Sequence, residues 1–311
     1  MKALEELTAD LRGKLPRLLI SFSGGETSAY MLWWILENWK WRYEIQVVFA
    51  NTGQENEETL EFVEKCSEYF DVRVIWVEAV FNMQYRKGTT HRIVDFKSAS
   101  RNGEPFEQMI KKHGIPNQTT PHCNRELKLY AINSYLKSIK WKDYYTAIGI
   151  RVDEFDRMNA KREENKILYP LIKEKPMTKK MINQWWNQQP FRLKLKGYQG
   201  NCKTCWKKSD AKLFTLAKEN EGQYDFFRNM ELKYENYVPA SRLDKIKKRG
   251  EVPNLPCRFF RKNRSVQEMI NEAKTFNKRV VDDAMEFPEL NLFDLLEEES
   301  CDIYSECGID N

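Results

Sequence analysis

The stretch Leu18–Ser28 reads LLISFSGGETS. Its apolar start, Leu18–Ile20, is typical of a β-strand, and it passes into a turn rich in serine and glycine. The segment Glu26–Trp39 that follows is compatible with a helix. The sequence therefore predicts a strand, a loop and a helix in succession, and the rest of the chain is organised around this unit.

The loop has the composition of a phosphate site. Glycines lack a Cβ, so an anion can approach the backbone closely, and the N–H groups that open the next helix favour negative charge. No lysine follows as in G-x-x-x-x-G-K-[ST] loops, and a tight turn with a serine cap would use the same residues. The position of the glycines, where strand passes to helix, favours the phosphate site. Its candidate residues are Ser21, Ser23, Gly24, Gly25, Thr27 and Ser28.

This stretch resembles the PP-loop of the adenine nucleotide α-hydrolase-like superfamily, whose usual form is S-G-G-x-D-S. Thr27 stands where aspartate is usual. The superfamily includes ATP pyrophosphatases and the phosphoadenosine phosphosulfate (PAPS) reductases. The resemblance implies an adenine nucleotide as ligand, with Mg²⁺ as a candidate companion.

Composition limits the class of protein. The chain has 311 residues, 41% hydrophobic and 31% charged, as in a globular protein with a substantial core. Met1–Arg12 alternates charges where a signal peptide would be apolar, so we expect a cytoplasmic protein without a membrane partner. The net charge of +5 is concentrated in Arg192–Lys212 and Lys245–Arg264, which suits an anionic ligand such as a nucleotide or RNA, or simply solvated helix faces.

Strands and helices alternate after the loop. Glu44–Ala50 is an apolar run of the kind that a strand buried on both faces requires, a helical stripe occupies Glu55–Phe70, and Val72–Val77 is the next strand. This order predicts an α/β fold with a doubly wound, mostly parallel sheet, in which ligands bind beyond the carboxyl ends of the strands. The segment FANTGQENEET is similar to the L-D-T-G-x-x-x-x-E-T segment of the superfamily, which implies that Asn51 and Gly53 border the nucleotide.

The middle of the chain is less regular. We expect Phe81–Thr120 to be a mostly irregular insertion with a short helix near Phe106–His113, and Asn124 to cap a helix that begins at about Arg125. Cys123 would then lie just outside the first turn, where the helix dipole favours the thiolate. Further on, GIRVDEFDR resembles the G-[IL]-R-x-[DE]-[ES]-x-x-R segment of the PAPS reductase family. Gly149, Arg151 and Arg157 are therefore candidates for an anion site, although Arg151 and Arg157 could also be salt-bridged to neighbouring aspartates.

Four of the seven cysteines are candidates for a metal site. Cys202 and Cys205 form a C-x-x-C pair that can ligate one metal centre, and Cys123 and Cys257 complete a four-thiolate set. By number, the set suits a [4Fe-4S] cluster or structural zinc equally; the family resemblance implies the cluster. Cys66 lies in an apolar helical stripe, which predicts a buried structural thiol.

The C-terminal Glu306-Cys307-Gly308-Ile309 resembles the E-C-G-[IL]-H ending of sulfonucleotide reductases, with Asp310 in place of histidine. The resemblance implies that Cys307 attacks the sulfur of the bound nucleotide and is later released by a thiol reductant such as thioredoxin. Cys301 could instead pair with Cys307 or complete the metal site.

Three functions follow from these motifs. The first is a PAPS reductase-family enzyme. Its nucleotide-binding domain would comprise residues 1–172, and a mainly helical, cysteine-containing region would comprise residues 173–311. The enzyme would reduce PAPS or adenosine phosphosulfate (APS) to sulfite. The second is a PP-loop ATP pyrophosphatase that adenylates a substrate, with nucleic acid as a candidate, for thiolation. The third is a non-catalytic nucleotide-binding protein with structural zinc. The sequence does not determine the oligomeric state.

Overall fold

The computed structural model describes residues 15–84, 87–200, 202–278 and 280–284. Its centre is a six-stranded sheet in the order β4-β3-β2-β1-β5-β6. All neighbouring strands run parallel except β3 and β4. The strands are β1 (Arg17–Phe22), β2 (Glu44–Asn51), β3 (Val74–Phe81), β4 (Thr89–Val94), β5 (Tyr145–Ala147) and β6 (Ile167–Leu168). The mostly parallel α/β sheet predicted from the sequence is confirmed.

Strand β1 lies in the middle of the sheet because its side chains are apolar on both faces. Ile20 is in register with Val47 on one side and Ala147 on the other. Leu18 and Ile20 pack against α1 (Glu26–Trp39) and α2 (Glu57–Tyr69), whereas Leu19 belongs to the core on the opposite face. This alternation places the carboxyl end of β1 between two packed layers, and the S-G-G loop begins there.

The segment 81–120 is more regular than the sequence indicated. The predicted short helix is confirmed as α3 (Glu104–His113), but the segment also contains the antiparallel edge strand β4, so the expectation of a mostly irregular insertion is wrong. The signal is weak because β4 is an edge strand whose side chains are half-buried or exposed.

Asn124 is not a helix cap. It already has helical backbone angles and makes no side-chain capping hydrogen bond. The chain continues as a π-helical turn, Arg125–Leu129, into α4 (Tyr130–Ser138). The N–H of Glu126 donates to the carbonyl of His122, so the helix begins about two residues earlier than predicted and Cys123 lies in its first turn.

The remainder of the described chain is mainly helical. Its α-helices are α5 (Pro170–Lys173), α6 (Lys179–Trp186), α7 (Asp210–Glu219), α8 (Asp225–Tyr234), α9 (Ala240–Lys248) and α10 (Val266–Thr275). Helices α7, α8 and α10 share one core with a face of the sheet, and Trp186 of α6 is fully buried in the core of the other face. In the part of the chain that the structure describes, no helix has the length and apolar character needed to cross a membrane.

Candidate functional site

The S-G-G loop leaves β1 through a left-handed glycine. Gly24 has φ of +80°, and a Cβ there would lie 2.7 Å from Cγ2 of Thr59 and 3.1 Å from the ring of Phe49. A side chain at this position would therefore be strained and would overlap α2. The loop passes close to α2 only because residue 24 is glycine.

Two serine hydroxyls form a chain of hydrogen bonds around this turn. The hydroxyl of Ser23 donates to Oγ of Ser28 at 2.9 Å, and the hydroxyl of Ser28 donates to the carbonyl of Gly25 at 2.9 Å. Among the described residues, no side chain caps the N-terminus of α1, where Gly25 is the N-cap. The first amides of α1 therefore face a polar rim, which is the arrangement that attracts an anion.

Arg151 approaches the loop from the end of β5. Its Nη1 donates to Oγ1 of Thr27 at 3.1 Å, and its Nε donates to Oδ1 of Asp153 at 2.9 Å. Gly149 permits this approach, since a Cβ at residue 149 would lie 3.1 Å from Cα of Ser28. The guanidinium thus forms the local salt bridge that was one interpretation of the sequence. It also contacts the PP-loop, where the alternative interpretation places an anion site.

These residues line a pocket of about 860 Å³, including its open mouth, which is in the range of a nucleotide-sized ligand site. Six of the predicted nucleotide-binding residues line it: Ser23, Gly25, Thr27, Ser28, Gly149 and Arg151. The sequence analysis did not single out the pocket residues from the second half of the chain, which include Lys179, Asn183, Lys196 and Gly197. These residues have ordinary helix and loop neighbours in sequence, so only the fold brings them to the PP-loop.

Four other predicted residues lie beside the pocket rather than in its wall. Ser21 is buried on β1, Gly24 forms the turn, and Asn51 and Gly53 belong to the loop after β2. Asn51 is fully buried; its Nδ2 donates to Oε1 of Glu78 at 2.6 Å and its Oδ1 accepts from the N–H of Gly53 at 3.1 Å. Asn51 thus fixes the shape of the loop after β2.

Arg157 is held away from the pocket wall formed by the described residues. It pairs with Glu154, which also accepts from the N–H of Arg151 at 3.3 Å. Arg157 therefore contacts the carboxylate that supports Arg151.

A partly buried ion pair joins the PP-loop to the chain after α6. Nε and Nη2 of Arg192 donate to the two carboxylate oxygens of Glu26, each at 3.0 Å, and the N–H of Leu193 donates to Oε1 at 3.2 Å. Burial raises the pKa of Glu26, while Arg192 opposes the shift. Glu26 is the first residue of α1 and lines the pocket, so this pair fixes one wall of the site.

Three of the four candidate metal ligands line a second, smaller cavity. They are Cys123, Cys202 and Cys205, together with Thr52, Phe106 and Trp206. The C-x-x-C segment is fixed to the loop after β2, because the N–H of Lys203 donates to the carbonyl of Gln54 at 2.9 Å and Oγ1 of Thr52 lies 3.6 Å from Sγ of Cys202. The fold therefore assembles cysteines that are about eighty residues apart in sequence.

Cys257 is buried but is not among the described residues that line this cavity. Its thiol donates to the carbonyl of Asn254 at 3.6 Å, and burial raises its pKa. Within the described ranges, no three histidine, cysteine or acidic side chains are placed to hold a single metal ion. Cys307 lies outside the described residues.

One residue that lines the cysteine cavity has a donor without an acceptor. Nε1 of Trp206 is buried and has no hydrogen-bond partner among the described residues. The ammonium of Lys207, a buried residue, lies 5.6 Å from the ring centroid of Trp206. An N–H donor and a buried cation beside thiols suit an anionic, hydrogen-bond-accepting group in this cavity.

One short segment borders both cavities. Gly200 lines the PP-loop pocket and Cys202, two residues later, lines the cysteine cavity. Consecutive Cα atoms are about 3.8 Å apart, so the two sites are neighbours.

The fold and its S-G-G loop define a member of the PP-loop, adenine nucleotide α-hydrolase-like superfamily. The family model described as "Phosphoadenosine phosphosulfate reductase domain" matches residues 17–89, which extend from β1 to the start of β4. Residues 17–89 therefore belong to the phosphoadenosine phosphosulfate reductase domain family.

Relatives occur in a phage and an archaeon. A nin region protein of Escherichia phage lambda, ORF290, is 32% identical over 216 residues, which cover 68% of this chain and 73% of that protein. Two proteins of Methanocaldococcus jannaschii, MJ0066 and MJ0973, are 27% and 28% identical over 47% and 49% of this chain. The matches span only 25% and 32% of those archaeal proteins. All three are described as uncharacterized, so the similarity shows relationship and does not identify a reaction.

Proposed function

We propose that this protein is an enzyme that binds an adenine nucleotide in the PP-loop pocket and uses it in sulfur chemistry. The observation that carries the proposal is the adjacency of the two cavities at Gly200 and Cys202. A phosphate-binding loop next to buried cysteines can bring an activated nucleotide and a sulfur centre together.

The reaction that we propose first is reduction of PAPS or APS to sulfite. A cysteine thiolate attacks the sulfonate sulfur, the S–O bond to the nucleotide phosphate breaks, and the nucleotide leaves with that electron pair. A thiol reductant then attacks the cysteine sulfur of the S-sulfocysteine, forming a disulfide and releasing sulfite. The two electrons come from the two thiols. Cys307 is the proposed nucleophile, and Arg151, whose Nη1 contacts Thr27 of the loop, would hold the anionic end of the nucleotide.

We also propose a [4Fe-4S] cluster in the cysteine cavity, with Cys123, Cys202 and Cys205 as ligands and Cys257 as the fourth. The cluster is favoured over zinc. A single zinc ion requires all its thiolates at about 2.3 Å, and within the described ranges no three ligand side chains are placed to hold one ion. A cluster binds each cysteine to a different iron. When bound, the cluster would supply redox chemistry or hold the sulfur atom to be transferred. Trp206 would donate its N–H to a cluster sulfide, and Lys207 would offset the negative charge.

A second candidate, the ATP pyrophosphatase that adenylates a substrate for thiolation, is favoured by the loop itself. Ser23, Gly24 and Gly25 keep the full S-G-G form, and the N-terminus of α1 is open to a pyrophosphate. Nucleic acid is the substrate that the basic second half of the chain favours.

Anaerobically prepared protein supplied with PAPS or APS and dithiothreitol, and in parallel with ATP, separates the two reactions. Sulfite release supports the reductase, and pyrophosphate release without sulfite supports the second candidate. Cys307→Ser should abolish sulfite and leave nucleotide affinity unchanged, while Cys301→Ser, in the same tail, should leave both unchanged. Unchanged sulfite output from Cys307→Ser would exclude Cys307 as the nucleophile.

Two further measurements test the cofactor and the second substrate. The anaerobic protein should be brown and contain iron and sulfide in a [4Fe-4S] ratio; colourless, zinc-containing protein would overturn the cluster. A pyrophosphatase acting on nucleic acid should bind RNA or DNA with an affinity that falls steeply with salt. Absence of such binding would exclude nucleic acid as the substrate.

A further inference from the structure

Residues 280–284, which we call the strap, run along the wall of the PP-loop pocket. The backbone carbonyl of Asp283 accepts from Nδ2 of Asn183 at 2.9 Å, and that of Ala284 accepts from Nη2 of Arg192 at 3.2 Å. Oδ1 of Asp282 accepts from the N–H of Gly197 at 2.8 Å. Ala284 itself lines the pocket. The strap is therefore fixed to three segments that are distant from it in sequence.

The strap brings a carboxylate to a cation of the pocket. Oδ2 of Asp283 pairs with Nζ of Lys179, the first residue of α6 and a pocket-lining residue. The two side chains are 22% and 24% exposed, so the pair is partly shielded from water. An ammonium at this place is a natural partner for a nucleotide phosphate, but the protein already supplies it with an anion.

The second oxygen of this carboxylate is poorly satisfied. Oδ1 of Asp283 is buried and accepts no hydrogen bond from the described residues. It packs on Gly197, where any Cβ would overlap it. A buried acceptor without a donor costs free energy. The pair of Asp283 with Lys179 is therefore less favourable than a pair of Lys179 with an anion whose oxygens all accept hydrogen bonds.

We propose that Asp283 is an internal competitor of the nucleotide: bound phosphate takes Lys179 from Asp283, and the strap is released from the pocket wall. The proposal rests on the proposed function, because it needs an anionic nucleotide in this pocket. Phosphate carries more charge and more acceptor oxygens than a carboxylate, so the exchange favours the bound nucleotide.

The first test is the affinity of the full chain for ATP and for PAPS, measured by calorimetry. Asp283→Asn keeps the size of the side chain and removes its charge, so both dissociation constants should fall about five-fold, as expected for loss of one competing ion pair. The control is Asp143→Asn, which removes the exposed partner of Lys166 at the amino ends of β5 and β6, whereas the pocket lies beyond the carboxyl ends of β1 and β5. It should leave both constants unchanged.

The second test separates release of the strap from simple repulsion. Amide hydrogen exchange should quicken at Gly197 when the wild-type protein is saturated with ATP or PAPS, because its N–H now donates to Asp282 of the strap. Slower or unchanged exchange, or an unchanged affinity in Asp283→Asn, would overturn the competitor while nucleotide binding still stood. Failure of both nucleotides to bind the wild type and the variant would overturn the proposed function and the competitor together.

Discussion

The ion pair between Glu26 and Arg192 allows a quantitative test of the site's construction. In Arg192→Met the carboxylate of Glu26 loses both guanidinium bonds at 3.0 Å and retains the N–H of Leu193. The side chains of Arg192 and Glu26 are only 18% and 12% exposed. Removing one partner of a buried pair costs about 3–5 kcal/mol. Because this pair keeps some contact with water, we expect the lower end, about 3 kcal/mol, at neutral pH.

The cost should depend on pH in a definite direction. Burial raises the pKa of Glu26 in the folded protein, and Arg192 is the main opposing influence, so Arg192→Met raises this pKa further. A raised carboxyl pKa means that the folded state binds the proton more tightly than the unfolded state. Stability is therefore highest below the unfolded pKa and falls as the pH rises through the folded pKa. The cost of the substitution should therefore be smaller at acidic pH than near pH 8, because a protonated Glu26 loses little beyond a hydrogen bond, about 1 kcal/mol.

Urea unfolding of the wild type and the variant, near pH 5 and near pH 8, measures this difference. Arg101→Met is the matched control, because Arg101 also makes a two-pronged bond to a glutamate, Glu57, but these side chains are 35% and 47% exposed. Its cost should stay below about 1 kcal/mol at both pH values. Glu26→Gln added to Arg192→Met should recover most of the loss near pH 8. An equal cost of Arg192→Met at the two pH values would refute the assignment of Glu26 as a buried charge that depends on Arg192.

Three further substitutions test other parts of the site. Gly24→Ala should lower the free energy of unfolding in urea by about 2–3 kcal/mol, because of the left-handed backbone and the overlap with Thr59, and a loss below 0.5 kcal/mol would contradict that geometry. Arg151→Lys should weaken ATP binding about ten-fold in calorimetry, since lysine cannot hold Thr27 and a phosphate with a planar fork; an unchanged affinity would remove Arg151 from the site. Trp206→Phe should destabilise the cofactor-free protein by about 1–2 kcal/mol, the cost of the smaller buried ring alone, because the indole N–H has no partner among the described residues, and a loss above about 4 kcal/mol in urea unfolding would show that it has one.

The parts of the site that sequence could predict are those encoded locally. An apolar run followed by Ser-Gly-Gly predicts a buried strand with a turn at its carboxyl end, and β1 and Gly24 have that form. Cys66 was expected in the core from helical spacing, and it is fully buried. Burial also raises the pKa of Cys66, as expected for a structural thiol. In each case the determining residues are neighbours in sequence.

The parts that sequence could not predict depend on long-range contacts. Arg192 reaches Glu26 across 166 positions, and Lys179 pairs with Asp283 across 104. No periodicity or motif marks these residues, because each lies in an ordinary charged segment of the second half of the chain. The cap assigned to Asn124 was wrong for a related reason: the helix start is set by His122, whose ring is buried and whose Nε2–H donates to the carbonyl of Gly114 at 3.1 Å. Burial lowers the pKa of His122 to about 4, so the ring is neutral there at pH 7.

The departure of the N-T-G segment from the family pattern has a structural cause in the neighbouring strand. Asn51 replaces the usual aspartate, and its Nδ2 donates to the fully buried Glu78 at 2.6 Å and to the carbonyl of Ser100 at 2.9 Å. An aspartate at this position would place two carboxylates in contact in the interior and would raise the pKa of one of them. The amide instead donates to Glu78 and accepts from Gly53, which fixes the loop that holds the C-x-x-C segment. The substitution is therefore compatible with an intact site, because the asparagine acts on the loop through its hydrogen bonds. The negative charge of an aspartate is not needed at this position.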